Sequence, residues 1–212
     1  EFSFGNKSPR AIKEFLTYAK GNWKRTPRYV LLIGDASLDP RDYLGFGDFD
    51  FVPTKLIDTA YLETASDDWF VDFNHDGLPE IAIGRLPVRT VEEANTVVSK
   101  ILNYEKIGAL KEAMLVADMN ERSGDFNFDG ASEEIRSLLP SSLMVRKIYR
   151  GQFSSDSEAR RVLLGSINEG PLLVNFIGHG SLEIWRGSIL TSDDADSLTN
   201  RGLPFFVSMT CL

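Results

Sequence analysis

Two side chains in the last forty residues have the types and placement for nucleophilic chemistry. The chain holds one cysteine, Cys211, and two histidines, of which His179 lies in the same C-terminal stretch. Each follows directly on an apolar run, Leu172 to Ile177 and Leu203 to Met209, and each run has the length of a strand. In open α/β sheets, ligands and chemistry gather outside the carboxyl ends of the strands. A thiol and an imidazole delivered to two such ends suit thiol acyl transfer, with the imidazole as the proton acceptor and donor. His179 has Gly178 and Gly180 on either side, so the backbone there can turn sharply and come close to a ligand. The amides of Gly180 and Cys211 are then candidates to hold a developing oxyanion. The opposing reading is that Cys211 is a small buried hydrophobe and His179 a hydrogen-bonded structural residue.

A second constellation is acidic. Asp72-Phe73-Asn74-His75-Asp76-Gly77-Leu78-Pro79-Glu80 has the Asp-x-Asn-x-Asp-Gly spacing of the front half of a calcium loop. Asp72, Asn74 and Asp76 offer side-chain oxygens, and Leu78 stands where such loops give a backbone carbonyl. Position twelve is Ile83, so the distal acid is missing, and an acidic polar turn is the alternative to structural Ca2+. His75 falls between ligand positions and reads as a solvated turn residue. Asp125 to Gly130 repeats the spacing, but it runs into a helix. A helix anchor, with acids near the positive end of the dipole, is the stronger expectation there.

The elements that position these residues follow from periodicity. Ser8 and Pro9 start a helix with Ile12, Phe15, Leu16 and Ala19 on one face, and Gly21 at its stop. Arg28 to Ile33 is a buried strand ending at Gly34-Asp35. Residues 36–53 form a long loop, 52–58 a short strand and 81–84 another. Thr90 and Glu93 form a capping box for a helix with Val91, Ala94, Val97, Val98, Ile101, Leu102 and Tyr104 on its apolar face. Then come a strand at 113–117 ending at Asp118, a helix over 131–139 and a strand over 143–149. A helix from Ser155 or Asp156 to Asn168 precedes the strand to Ile177, a short helix near 192–198 and the strand leading to Cys211. Alternating strands and helices predict an α/β fold, parallel sheets with helices on both faces. The lengths divide into two subdomains, 1–110 and 111–212.

Composition limits the function classes. A chain of 212 residues, 42% hydrophobic and 25% charged, is ordinary globular material. Its formal net charge of −8 disfavours a nucleic-acid partner and is compatible with cation binding. No apolar run is long enough to span a bilayer as a helix. A single cysteine excludes an internal disulfide.

Asn175-Phe176-Ile177-Gly178-His179-Gly180-Ser181, then Trp185, then Val207-Ser208-Met209-Thr210-Cys211 resembles the catalytic segment of the gingipain-type cysteine peptidases. Tyr29-Val30-Leu31-Leu32-Ile33-Gly34-Asp35-Ala36-Ser37 and Glu80-Ile81-Ala82-Ile83-Gly84-Arg85-Leu86-Pro87 resemble further blocks of that family, in the family's order. The resemblance implies a caspase-like second subdomain, whose sheet continues past Leu212, so that this chain is truncated after the nucleophile strand. It implies a cysteine endopeptidase acting on protein or peptide substrates, with Cys211 as nucleophile, His179 as acid–base and the amides of Gly180 and Cys211 as oxyanion donors. It also implies that Glu80 orients His179, a role in conflict with Glu80 as the ninth residue of the calcium loop. Trp185 is expected in the substrate cleft, with core packing as its alternative. An extracellular or cell-envelope location follows from the resemblance alone. Arg or Lys specificity does not carry over, because no specificity-determining acid can be matched. Two other functions stay open: a sortase-like transpeptidase using the same residues, and a non-catalytic calcium-binding domain with an inert Cys211.

Overall fold

The computed structural model describes residues 2–60, 62–107, 110–121, 124–200 and 202–210. The chain divides into two compact units, Glu1–Val98 and Ser99–Leu212. The division falls inside a helix, ahead of the expected break near 110. That helix's second half belongs with the second unit, where the Tyr104 hydroxyl donates to the Leu172 carbonyl at 3.4 Å.

In the first unit, helix α1 (Pro9–Asn22) starts at its proline, although the Ser8 side chain makes no capping bond. Strand β1 (Tyr29–Ile33) pairs in parallel with β4 (Ala82–Leu86), Tyr29 opposite Ala82 and Ile33 opposite Leu86. Between them, β2 (Lys55–Asp58) and β3 (Glu63–Ser66) form an antiparallel hairpin. Leu16, Leu32, Phe70 and Val71 make the core. Arg85 ties the unit together: Nε and Nη2 donate to Asp67 at 2.7 Å each, and Nη1 to the carbonyls of Gly34 and Val52. Buried Lys13 lashes α1 to the acidic loop by donating to the Trp69 and Asp72 carbonyls at 2.7 and 2.6 Å.

Helix α2 (Val91–Ile107) is capped by Thr90, whose Oγ1 accepts from Glu93 N–H at 3.1 Å, while the Glu93 carboxylate accepts from Arg89 N–H at 2.6 Å, one residue ahead of where a full box would have it. Its apolar stripe is less buried than the periodicity implies, with Val91, Val98, Ile101 and Leu102 exposed.

The second unit is built on a four-stranded sheet of order β10-β7-β5-β6, from Phe205–Met209, Pro171–Ile177, Leu110–Ala117 and Met144–Tyr149. Every pairing is parallel. Its central strands β5 and β7 are buried, which is why they read as near-continuous apolar runs, whereas β10 keeps Phe205, Phe206 and Met209 exposed. Alternate residues face opposite ways. Met114, Val116, Val174 and Phe176 pack against Ala159, Leu163 and Ile167 of α4 (Asp156–Asn168). Leu115, Ala117 and Ile177 pack against Phe128 of α3 (Phe128–Leu138) on the other side. A small hairpin, β8 (Gly180–Ser181) and β9 (Ile184–Trp185), follows β7. Helix α5 (Ser192–Ser197) carries a full capping box from Thr191 and Asp194. Among the described residues no helix is long and apolar enough to cross a membrane.

Candidate active site

The carboxyl ends of β5, β7 and β10 lie side by side, because the register pairs Ala117 with Ile177 and Ile177 with Met209. The Gly178 N–H donates to the Met209 carbonyl at 3.2 Å and extends the ladder one step past the strands. His179 comes next. Its imidazole is exposed and stands edge-on to the Phe128 ring, with centroids 5.2 Å apart. Its main chain is held on both sides: the N–H donates to Asp118 Oδ2 at 3.1 Å, and the carbonyl accepts from Arg186 N–H at 2.9 Å.

Asp118, the residue after β5, is 1% exposed. Its carboxylate also accepts from Met119 N–H at 2.8 Å and from Arg150 Nη1 at 2.9 Å. A buried carboxylate needs such partners, since an unpaired charge there would be costly. Arg150, only 8% exposed, bonds Asp156 with Nε and Nη2 at 2.7 and 2.8 Å and Glu121 with Nη1 at 3.1 Å. The fork on Asp156 holds that carboxylate below its usual range.

Both glycines beside His179 mark close approaches. A β-carbon on Gly178 would lie 2.5 Å from Asp118 Cβ and 2.7 Å from the Phe176 ring. One on Gly180 would lie 2.6 Å from Thr210 Oγ1. Thr210 therefore seats directly on the loop that carries His179. Its hydroxyl is buried without a hydrogen-bond partner among the described residues. Cys211 lies outside the described residues.

Trp185 is 9% exposed and stacks on Phe176 at 3.9 Å with the rings 8° from parallel. It is a core residue of the sheet face toward α4, so its first role is packing. It also lines an open groove of about 910 Å3 with Tyr104, Leu190, Leu198 and Phe206.

The acidic loop of the first unit folds as its spacing predicts in part. Asp72 is 7% exposed and accepts from the N–H groups of Asp76 and Gly77, both at 3.2 Å. Gly77 takes φ +87° at the sharp turn, and His75 also lies in the left-handed region at +64°. Asp72, Asp76 and Glu80 each bring a carboxylate oxygen within 4.8 Å of the others. Three carboxylate oxygens suit a hard divalent cation such as Ca2+ or Mg2+. Asn74 Oδ1 accepts from Asp76 N–H at 2.9 Å, and Leu78 N–H donates to Asp76 Oδ1 at 2.9 Å, so both brace the turn. Glu80 folds back over the loop, Oε2 accepting from Phe73 N–H at 2.6 Å. The second acidic copy is a helix start, with Asn127 capping α3 by accepting from Gly130 N–H at 3.0 Å.

Sequence reasoning missed Asp118, Glu121 and Arg150. Asp118 had a signal, since it is an acid at the carboxyl end of a buried parallel strand. Arg150 had none, because its three acidic partners are 6 to 32 residues away.

Comparison with solved structures gives the same fold. The Arg-specific cysteine proteinase gingipain R (RgpB) matches with a TM-score of 0.73 at 22% identity, over 96% of this chain and 45% of that one. The complex of Porphyromonas gingivalis RgpB pro- and mature domains matches equally, at 0.73 and 22%, over 96% and 46%. A structure described only as a protease matches at 0.72 and 17%, over 98% and 44%. The chain thus spans under half the length of these relatives. No curated protein sequence matches it. The model of peptidase family C25 matches residues 1–212, the whole chain, including the strands, glycines and histidine loop described above, and on that match the chain belongs to peptidase family C25.

Proposed function

We propose that the second unit carries a cysteine peptidase centre in which Cys211 is the nucleophile and His179 its acid–base partner. The observation that carries this reading is the in-register parallel pairing of β7 and β10. Ile177 and Met209 are paired on neighbouring strands about 4.8 Å apart, and in the sequence His179 and Cys211 each follow two residues after them. The thiol loses its proton to His179, and the thiolate attacks the scissile carbonyl of a protein or peptide substrate. The amides of Gly180 and Cys211 hold the oxyanion. As the C–N bond breaks, imidazolium His179 protonates the leaving amine, and water then hydrolyses the thioester. Trp185 supports this loop from the core side, and the family resemblance would also place it in the substrate cleft.

Asp72, Asp76 and Glu80 would hold a Ca2+ ion, with oxygens from Asn74 and Leu78 completing the set after a small rearrangement of the turn. The ion's part is structural: it would neutralise three clustered carboxylates and fix the loop that Lys13 ties to α1. Such a site suits a protein exposed to millimolar calcium, in keeping with a secreted or envelope location.

The test is the rate of Cys211 alkylation against pH, read by mass spectrometry, with His179→Ala as control. A thiolate activated by His179 reacts fast below about pH 7 and loses that rate in the variant. A slow rate rising only near pH 8–9, equal in both proteins, refutes the peptidase reading. With a fluorogenic peptide, an added amine that appears in the product would show transpeptidation instead of hydrolysis.

A further inference from the structure

The main chain of His179 is clamped by a closed ring of charged groups. His179 N–H donates to Asp118 Oδ2, and Asp118 Oδ1 accepts from Arg150 Nη1. The same Nη1 reaches Glu121 Oε1, and Glu121 Oε2 accepts from Arg186 Nη2. Arg186 N–H returns to the His179 carbonyl and closes the ring. Its members come from three separate places: the end of β5, the end of β6 and the turn after β9. None of these segments could fix the histidine loop alone.

Arg150 is the hub. One edge of its guanidinium meets Asp118 and Glu121, and another is forked on Asp156 at the start of α4. Such a bidentate, charge-assisted pair is directional as well as strong. Gly187 lets the turn after β9 lie against it: a β-carbon there would sit 2.4 Å from Arg150 Nε and 2.8 Å from Asp156 Oδ2. The guanidinium therefore orients three carboxylates and defines how closely the β9 turn approaches.

We infer that Arg150 is a positioning residue for His179, acting through Asp118 on one side and through Glu121 and Arg186 on the other. This rests on His179 being the acid–base residue. Arg150 touches neither the substrate nor the imidazole. Its effect is to hold the backbone that aims the ring, so its loss misdirects His179 without emptying the site.

The test uses the full chain with Arg150→Lys, which keeps the charge and loses the fork. Glu121→Gln is the second variant, because it opens the ring at a partly exposed member and leaves Asp118 paired. Arg10→Gln in the first unit is the control. Two readouts apply at temperatures where circular dichroism shows each variant folded. One is the Cys211 alkylation rate near neutral pH. The other is the His179 imidazole resonance, assigned against His75, the only other histidine. The inference expects alkylation to fall about ten- to a hundredfold in Glu121→Gln and Arg150→Lys, the scale of a small misplacement. It also expects the His179 resonance to move or broaden, with Arg10→Gln unchanged in both. Folded variants with wild-type rate and resonance overturn it. If His179→Ala leaves alkylation unaltered, the peptidase reading has failed, while the resonance still decides whether the ring holds His179.

Discussion

Replacing Gly178 by alanine tests the joint between the histidine loop and the sheet. Gly178 is not among the glycines with positive φ, so an alanine there meets no backbone strain. The cost is steric. The new methyl would sit 2.5 Å from Asp118 Cβ, 2.7 Å from Phe176 Cζ and 3.0 Å from its Cε2. Carbon atoms prefer about 3.5–4.0 Å, so the overlap is about 1 Å. Neither neighbour can yield cheaply. Asp118 is fixed by Met119, His179 and Arg150, and Phe176 is fully buried beneath Trp185. Overpacking of this kind costs about 1–3 kcal/mol. Alanine recovers about 0.4–1 kcal/mol by restricting the unfolded chain. The net expectation is a loss of roughly 1–2 kcal/mol. Because the strain is relieved by moving the segment that leads to His179, Cys211 alkylation should fall as well. Urea unfolding followed by tryptophan fluorescence gives the first quantity and mass spectrometry the second. Gly165→Ala in α4 is the matched control: its β-carbon would meet nothing within 4 Å, so it should be neutral or stabilising by up to about 1 kcal/mol. A Gly178→Ala protein as stable as the Gly165→Ala protein, with an unchanged alkylation rate, would refute the packing on which this site is built.

Gly180→Ala should destabilise through the 2.6 Å approach to Thr210 Oγ1, and Thr210→Ala in the same chain should restore part of the loss. Additive effects in a double-mutant cycle would remove that contact. Calcium at a hundredfold excess over its Kd should stabilise the protein by ~2.7 kcal/mol, seen as a rise in Tm. Asp72→Asn should abolish that rise, and a wild-type Tm indifferent to calcium and chelator would eliminate the site. Acid should weaken the second unit. Arg150 first holds Asp156 below its usual range, and Arg160, followed by Thr191, does the same for Asp194. The unfolded state therefore takes up these protons first, so their stabilisation is full above about pH 5 and is lost as pH falls through the folded values. Asp129, raised by burial and then by Glu133, acts in the opposite sense and offsets part of the loss. Thermal melts from pH 6 to 2 should show a steeper loss in wild type than in Arg160→Gln, and parallel curves would contradict the assignment. Trp185→Ala should cost about 3–5 kcal/mol as a buried aromatic. A cost under about 1 kcal/mol would mean the indole serves the groove and not the core.

The sheet of the second unit was legible because its information is local. Continuous apolar runs announce strands, and Leu172 to Ile177 and Leu203 to Met209 fall within a residue or two of β7, which is buried, and β10, whose Phe205, Phe206 and Met209 are exposed. Ser155 caps α4 as read, accepting from Glu158 N–H at 3.2 Å. Helix α3 starts three residues earlier than its apolar spacing suggests, because Asn127 caps it and brings Phe128 into the core. The hairpin strand Glu63–Ser66 has no apolar alternation and escaped notice.

What the sequence withholds is which polar groups meet. Glycines 178 and 180 can be read as permission for close approach, but the partners, Asp118 and Thr210, lie 60 and 30 residues away. Arg150 lies in an unremarkable stretch after a strand, and only the β6–β5–β7 order brings it beside the histidine loop. The same order explains why the ring is assembled from strand ends. In a parallel sheet every carboxyl end emerges on one edge, so each residue just past a strand joins a single polar layer, whatever its distance in the chain. His179 and Cys211 were found from their chemistry. Asp118 and Arg150 belong to the same layer by topology, and residues at the corresponding positions past β5 and β6 are where substitutions that disturb His179 without touching its imidazole should concentrate.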